Sequence, residues 1–483
     1  MYSICTSSFF CINLPFITKL ILILITIGEI NLENIKENKM GTMPVNKLLF
    51  SMSIPMMLSM LVQSLYNIVD SMFVAQINEN ALTALTLVFP WQLFMNGIAI
   101  GTGVGVNALL SRSLGEKNYK KANLTATNGI FLSIVWSIIF AILGQLLGRT
   151  FIMAQTSDPQ ILAYSMEYLN VISMFSIGLY TQVMFERLLQ STGNTVLSMI
   201  TQIVGAVTNI ILDPILIFGW FGLPALGVRG AAIATIIGQV FAGLLAIYFN
   251  ITKNKDINIS VMNFKPNVGI IKNIYAVGFP SIVMQIIGSF LTYFINKLLI
   301  TFTPTAVSVY GVYFKLQSFI FLPVFGLNNG MVPIIAYNYG AKNKKRITDT
   351  IKLSIIMAVS VMFIGLIIFQ TIPDKLLSLF NASDEMLRIG VPALKIISLC
   401  FVFAGFGIVC SSVFQALGNG VLSLITSITR QLVFILPLAY ILGNYFGLNA
   451  VWYSIPLAEI SSLILSTVFL RYILKKKVDV LEN

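Results

Sequence analysis

The sequence predicts an all-α integral membrane protein: twelve transmembrane helices in two six-helix lobes, related by a pseudo-two-fold axis along the membrane normal. Three observations lead there. Apolar residues make up 57% of the 483-residue chain and charged residues only 10%, with a mean hydropathy of +0.88. A soluble domain carries about 25% charged residues, and a water-soluble fold of this composition would lack polar surface to cover itself. From Lys47 onward twelve apolar runs follow one another, each near the roughly 20 residues that cross a bilayer. A single offset of 225 residues relates the first half of these runs to the second.

The runs are 48–75, 82–111, 122–148, 160–187, 195–218, 226–250, 268–299, 304–338, 350–372, 386–416, 421–442 and 447–474. Helix 1 carries Gln63, Tyr66, Asn67 and Asp70 at i, i+3, i+4 and i+7, a spacing that puts them on one helical face. Helix 2 carries Gly97, Gly101 and Gly105 as overlapping G-x-x-x-G steps, the pattern of close helix packing. Helix 4 ends on the adjacent pair Glu186 and Arg187, read either as a loop ion pair or as part of a gate. Helix 5 repeats Gln202, Asn209 and Asp213 on one face, with Gly205 among them and Pro214 following. Gln285, Ser289, Tyr293 and Asn296 stripe helix 7, and Asn328 and Asn329 sit in helix 8. Cys400 and Cys410 fall in the apolar run of helix 10, form no C-x-x-C pair, and read as packing residues. Arg430 in helix 11 and Glu459 in helix 12 are expected to pair as a structural bridge.

The repeat matches at helix and loop positions alike. Pro55 corresponds to Pro280, Ala81 to Ala306, and Gly115-Glu-Lys117-Asn118 to Gly340-Ala-Lys342-Asn343. Gln190, Gly193 and Asn194 correspond to Gln415, Gly418 and Asn419, and Phe221-Gly222-Leu223 to Phe446-Gly447-Leu448. Six helices per repeat is an even number, so both halves share one orientation and the substrate path is expected between them near the midplane. The expected lobes are 40–256 and 257–483. Residues 1–39 have no counterpart in the repeat and are expected to lie outside the transporter fold, with translation beginning downstream, for example at Met40. Leu14–Ile30 within them is apolar but short, with Lys19 and Glu29 inside, so an extra helix or a signal-like stretch is the alternative.

The net charge of +12 points to membrane topology rather than to nucleic acid. Loops on one side, with the segment before helix 1 and the C-terminus, hold 21 of the 30 Lys and Arg; the other side holds Arg149, Arg229, Lys375 and Arg388. The positive-inside rule then puts both termini of this multi-pass protein in the cytoplasm. The chain has no histidine, which excludes Ser-His-Asp and Cys-His catalysis and His-ligated metal sites. It has no G-x-x-x-x-G-K-[ST] of its own for ATP. Enzymatic activity is not expected, no cofactor is implied, and work must draw on an ion gradient or a partner.

An ionisable residue at a helix centre costs about 2.5–3.5 kcal/mol even on a lenient scale, so such residues mark function. Asp70 and Asp213 with Asn209 are therefore the expected ion-coupling site. Their counterparts 225 residues on are Ile295, Leu438 and Phe434, so the site is expected in the N-terminal lobe alone. Desolvation disfavours a carboxylate's charged form and favours proton exchange, while the same oxygens suit Na⁺; composition leaves both open. Gln63, Tyr66, Asn67, Gln202, Glu186, Gln285, Tyr293, Asn296 and Asn328 are the candidate substrate-cleft residues. The abundant Met and Phe, 20 and 35 residues, would give the cleft an adaptable wall for aromatic cations.

The stretch PMMLSMLVQSLYNIVDSMFVA at 55–75 resembles helix 1 of the multidrug and toxic compound extrusion (MATE) family, bacterial multidrug type. ALTAL at 81–85, SLGEKNYKKA at 113–122, QSTGNT at 190–195 and NIILDPILIFG at 209–219 resemble the same family, and the likeness covers about residues 40 to 475. It implies two six-helix lobes in a V and alternating access. It also implies export of cationic or amphipathic drugs against H⁺ or Na⁺ entry, with Asp70, Asn209 and Asp213 matching the family's N-lobe site. Residues 1–39 are the departure. The expected partners are small-molecule drugs and membrane lipid, with no nucleic acid, and the protein is expected to be monomeric. The alternatives carried are a lipid-linked oligosaccharide flippase of the same superfamily, a channel-like membrane subunit and a metabolite uptake carrier. A flippase needs a basic cleft for pyrophosphate, for which Lys297, Lys315, Lys395 and Arg430 are the candidates.

Overall fold

The computed structural model describes residues 38–259, 264–380 and 382–481. Among them the chain is helical from end to end and the predicted spans are all present. They are α1 Val45–Ala75, α2 Glu79–Gly115, α3 Tyr119–Met153, α4 Pro159–Met174 with Ile177–Ser191, α5 Thr195–Phe218 and α6 Gly227–Thr252, then α7 Val268–Leu299, α8 Pro304–Gly340, α9 Lys344–Thr371, α10 Asp384–Ser398 with Phe401–Ala416, α11 Gly420–Phe446 and α12 Leu448–Val478. α4 and α10 are each broken, by 47° and 50°, at positions that match to within one residue under the repeat.

The repeat is visible in how helices begin and end. In the α2–α3 turn Lys117 has a left-handed φ of 54° and in the α8–α9 turn Lys342 has one of 57°. Asn118 then caps α3 by accepting from the Lys121 N–H, and Asn343 caps α9 by accepting from the Arg346 N–H, which satisfies an orphan donor of the first turn. Gly193 and Gly418 close the α4–α5 and α10–α11 turns at φ of 87° and 77°, a conformation that favours glycine.

The two lobes meet at the end that carries the Lys- and Arg-rich loops. A Cβ on Gly115 of α2 would collide with the Tyr337 carbonyl of α8, and one on Gly340 of α8 would collide with the Arg112 carbonyl of α2. Residues 112 and 337 are themselves one repeat apart, so the contact is two-fold symmetric. One layer further in, Gly101 packs on Ile282 of α7 and Gly326 packs on Met57 of α1, again one repeat apart. α3 and α7 add a bond in which Trp136 Nε1 donates to the Tyr275 hydroxyl at 2.6 Å. Beyond these layers the lobes part. The α7 face that buries Gly278 and Ile282 continues at helical spacing to Ser289 and to Tyr293, which is 63% exposed. The α1 face that buries Ser53 continues to exposed Asn67 and Ser71. The V therefore opens at the end opposite the basic loops.

Residues 38–43 form a clasp across the closed end. Asn38 Nδ2 donates to the Thr192 carbonyl of the N-terminal lobe at 2.9 Å. Met40 is fully buried, and its carbonyl accepts from Asn338 Nδ2 at 3.0 Å and from Arg346 at 2.9 Å, both in the C-terminal lobe. Arg346 also donates to the Met43 carbonyl at 2.7 Å. Burial lowers the Lys39 ammonium from its ordinary range, against the opposing pull of Asp256. The expected boundary at residue 40 thus moves upstream, because Asn38 and Lys39 make fold contacts. The other expectations for this region, on Leu14–Ile30 and the remainder of residues 1–37, lie outside the described residues.

Candidate functional site

α1, α5 and α6 bring the N-lobe acids together. Asp70 is 9% exposed, Asn209 2% and Asp213 fully buried, and the two carboxyl groups lie within hydrogen-bond reach of each other. Asn209 Nδ2 donates to Asp213 Oδ1 and to Thr235 Oγ1, each at 3.3 Å. Asp70 Oδ1, Asp213 Oδ2 and Asn209 Oδ1 are buried without a hydrogen-bond partner. The arrangement is a knot of inward-facing oxygens with too few donors. Two carboxyl groups in contact need a proton or a cation between them, since like charges at this range cannot both stand. α5 makes this local order: Asn209 and Asp213 are one turn apart on its inner face, with small Gly205 below them, which Gly238 of α6 packs against.

Tyr66 of α1 sits beside both acids. Tyr168 of α4 closes the other side, accepting from Gln92 Nε2 at 3.2 Å. The sequence reading missed Thr235, Tyr168 and Gln92, although each has a polar residue one turn away on its own helix, Gln239, Tyr164 and Asn96, that makes a short stripe. Gln63 and Asn67 are exposed; Gln63, seven residues before Asp70, shares its direction, whereas Asn67 is turned about 60° from it, toward the α1 face that meets α8.

Gln202 and Glu186 belong to a second polar cluster nearer the closed end. Glu186 is 6% exposed and its Oε1 accepts from Gln182 Nε2 at 3.0 Å and Thr201 Oγ1 at 3.2 Å. Gln202 Nε2 and Gln190 Nε2 both donate to Ser198 Oγ, at 3.3 and 2.9 Å. Thr201 is eight residues below Asn209, about 12 Å along α5, so neither Glu186 nor Gln202 touches the acid pair. Of the two readings of Glu186 and Arg187, the loop ion pair is not formed: Arg187 reaches Gln190 Oε1 at 2.8 Å and crosses between the lobes to Asn329 Oδ1 of α8 at 2.9 Å. Consecutive helical residues point about 100° apart, so neighbours in sequence do not face each other.

In the C-terminal lobe, Gln285 faces Gly97 of α2 at the point where the lobes diverge, and Tyr293 is exposed beyond it. Asn296 is half-buried with its Oδ1 unpartnered. Asn328 does not line the cleft. It lies two residues, about 200°, from Gly326, which touches α1, and is 6% exposed; Asn329 takes the place at the interface. Arg430 Nη1 and Glu459 Oε1 pair at 2.6 Å, the expected structural bridge. Cys400 and Cys410 are buried free thiols.

Two six-helix lobes closed at one end, with a buried acid pair in the N-terminal lobe, are the architecture of a membrane transporter. The family model MatE matches residues 55–215 and again 280–441, and the chain belongs to that family of multidrug efflux transporters. The two matches start one repeat apart. The multidrug export protein MepA of Staphylococcus haemolyticus strain JCSC1435 is 29% identical over 437 residues, 90% of this chain and 95% of that one. MepA of Staphylococcus aureus strain MSSA476 is 29% identical over 439 residues, 90% and 96% of the two chains. Among solved structures, the outward-facing conformation of a multidrug resistance MATE transporter of the MOP superfamily superposes with a TM-score of 0.86 at 25% identity. It covers 92% of this chain and 99% of that one. A MOP superfamily transporter from Pyrococcus furiosus, described by a binding pocket of reverse polarity, gives 0.86 at 25% identity, over 93% and 100%.

Proposed function

We propose that this transporter is a secondary active antiporter of the bacterial cytoplasmic membrane, exporting cationic or amphipathic compounds in exchange for H⁺ or Na⁺. The observation that carries this reading is the placement of α1. One face of α1 holds Asp70 against Asp213, and a neighbouring face holds Asn67 and Ser71 in the opening between the lobes. A cation entering from the open end neutralises the acid pair and changes how α1 packs, and α1 is a wall of the drug cleft. Coupling then follows because ion and drug favour different arrangements of one helix. The experiment is drug-induced ion flux in proteoliposomes, with a pH gradient or a Na⁺ gradient imposed alone. A drug-dependent flux of one ion is expected, and flux of neither would overturn the reading. The flippase alternative loses one cation, because Arg430 is held by Glu459.

The orientation rests on the 21-to-4 bias of Lys and Arg. Single cysteines placed near Lys120 and Lys344 should be shielded from an impermeant thiol reagent added outside cells, whereas cysteines near Asn80 and Asp384 should be labelled. Equal labelling at all four positions would reverse or sink the topology.

Alternating access requires the closed end to open, and the clasp of residues 38–43 stands in the way. Arg346 is its strongest element, donating to two carbonyls of the segment. Hydrogen bonds to a charged group are worth about 1.5–3 kcal/mol each. Arg346→Ala should therefore raise the population open at the basic end, read as longer spin-label distances between the α2–α3 and α8–α9 loops in nanodiscs. Unchanged distances would show that the clasp does not set the equilibrium.

A further inference from the structure

The C-terminal lobe holds a buried charge pair at the depth where the N-terminal lobe holds its polar knot. α11 leaves α-helical winding between Thr429 and Ile435, where it forms a π-helix. The counterpart stretch of α5, 204–210, lies inside one unbroken α-helix. π turns of this kind are rare and concentrate at functional sites. Arg430 stands in this turn, where the repeat places Gly205 in α5. Its Nη1 donates to Glu459 Oε1 of α12 at 2.6 Å. Glu459 corresponds to Ala234, the residue before the Thr235 that meets Asn209, so the carboxylate sits within one residue's rise of that depth. Glu459 is 4% exposed, and its Oε2 is buried without a hydrogen-bond partner. Tyr313 of α8 and Cys400 at the α10 break stand beside the pair, and both types are uncharged at neutral pH in their ordinary ranges. Among the described residues only Arg430 forms an ion pair with Glu459.

A buried carboxylate needs a counter-charge or a proton. In the N-terminal lobe that charge comes and goes; in the C-terminal lobe it is tethered to α11. We propose that Arg430 is a resident stand-in for the coupling ion, and that the place it fills beside Glu459 is a latent cation site. The C-terminal lobe then keeps one ion-loaded arrangement throughout the cycle, and the N-terminal lobe alone exchanges a cation. The proposal rests on the antiporter reading, in which a cation between Asp70 and Asp213 repacks α1. The counterpart of α1 is α7, and the counterpart of Asp70 is Ile295, 2% exposed, an apolar contact that no ion has to complete. The Arg430 side chain keeps 27% exposure, so a cation can reach its place once the side chain is shortened.

The test reads the thermal unfolding midpoint of purified protein as Na⁺ replaces choline at constant ionic strength, and separately as pH falls. Wild-type protein should be stabilised by one of the two ions, and the Asp70→Asn, Asp213→Asn double variant should lose that response. Adding Arg430→Gln to the double variant removes the tethered charge and leaves Glu459. Its midpoint should drop when both ions are scarce and recover by at least about 2 °C when H⁺ or Na⁺ is supplied, because a ligand of the folded state stabilises it. Arg430→Lys keeps a tethered charge, and Arg430→Gln with Glu459→Gln needs none, so both should lack the ion response. An equal loss for Arg430→Gln at every Na⁺ concentration and pH, recovered by Arg430→Lys, is the behaviour of a bridge alone and would overturn the proposal. An Arg430→Gln protein that folds in none of these conditions would overturn it too, since no cation then takes the vacated place. Both results leave the antiporter standing. A double Asn variant that keeps the wild-type response, or wild-type protein that responds to neither ion, would count against the acid pair as the coupling site and take the Arg430 proposal with it.

Discussion

Asp70→Asn and Asp213→Asn each abolish ion-coupled export while the protein still inserts and folds. The amide keeps the shape and the hydrogen-bonding capacity of the acid but cannot titrate or supply a full negative charge. Asp70 and Asp213 face each other in a buried site with oxygen atoms left unpartnered, so an amide in place of one acid supplies the donors that the site lacks. Stability should accordingly be kept or raised, since a charge no longer has to be buried. Transport loses its drive because the event that repacks α1 is the arrival of a cation between two carboxylates. Gradient-driven efflux of ethidium from reconstituted vesicles should fall to the level of protein-free vesicles in either variant. The repeat supplies the control: Ile295→Asn and Leu438→Asn, at the equivalent positions of the other lobe, change packing only and should have a smaller effect. Wild-type ion dependence in the Asp70→Asn, Asp213→Asn double variant would falsify the assignment, and the coupling site would then be sought at Glu186 and its partners Gln182 and Thr201.

The parts of this fold that were legible in the sequence are those set by composition and by a constant offset. Run length and the repeat placed all twelve spans, and the acids of α1 and α5 could be grouped because each lies on a periodic stripe. Features that depend on how a helix is rotated within the bundle were less visible. Asn328 and Asn329 look equivalent in sequence, yet only Asn329 meets Arg187 across the interface. Glu186 and Arg187 read as a pair but point into different clusters. The α4 and α10 breaks carry no proline between the broken halves, at Phe175-Ser176 or Leu399-Cys400, so nothing in composition announces them. In α4 the break coincides with the Ser176 hydroxyl donating to the Ser137 carbonyl of α3 at 3.0 Å, a tertiary contact. The role of residues 38–43 was hidden for the same reason: a segment outside the repeat has no internal partner for comparison, and its contacts are with distant carbonyls and side chains.

Gly115→Val and Gly340→Val should each open the basic end of the protein, and by similar amounts. At both positions the space that a side chain needs is already filled by backbone, the Tyr337 carbonyl in one case and the Arg112 carbonyl in the other. A backbone carbonyl near a helix end cannot rotate away as a flexible side chain can. The collision must be relieved by separating α2 from α8, which is the separation that inward opening requires. Overpacking a tight contact costs about 1–3 kcal/mol, and more where backbone must move. A shift of that size takes an equilibrium dominated by one state close to balance or past it, since about 1.4 kcal/mol is a factor of ten. Spin labels on the α2–α3 and α8–α9 loops should report the longer distance in both variants, and drug efflux should fall because the return to the outward-open state is hindered. Gly115→Ala should lie between wild type and Gly115→Val. The two-fold relation gives the test its force. If Gly115→Val opens the basic end and Gly340→Val leaves it closed, the lobes do not share the contact that the 225-residue repeat and the coordinates assign to both.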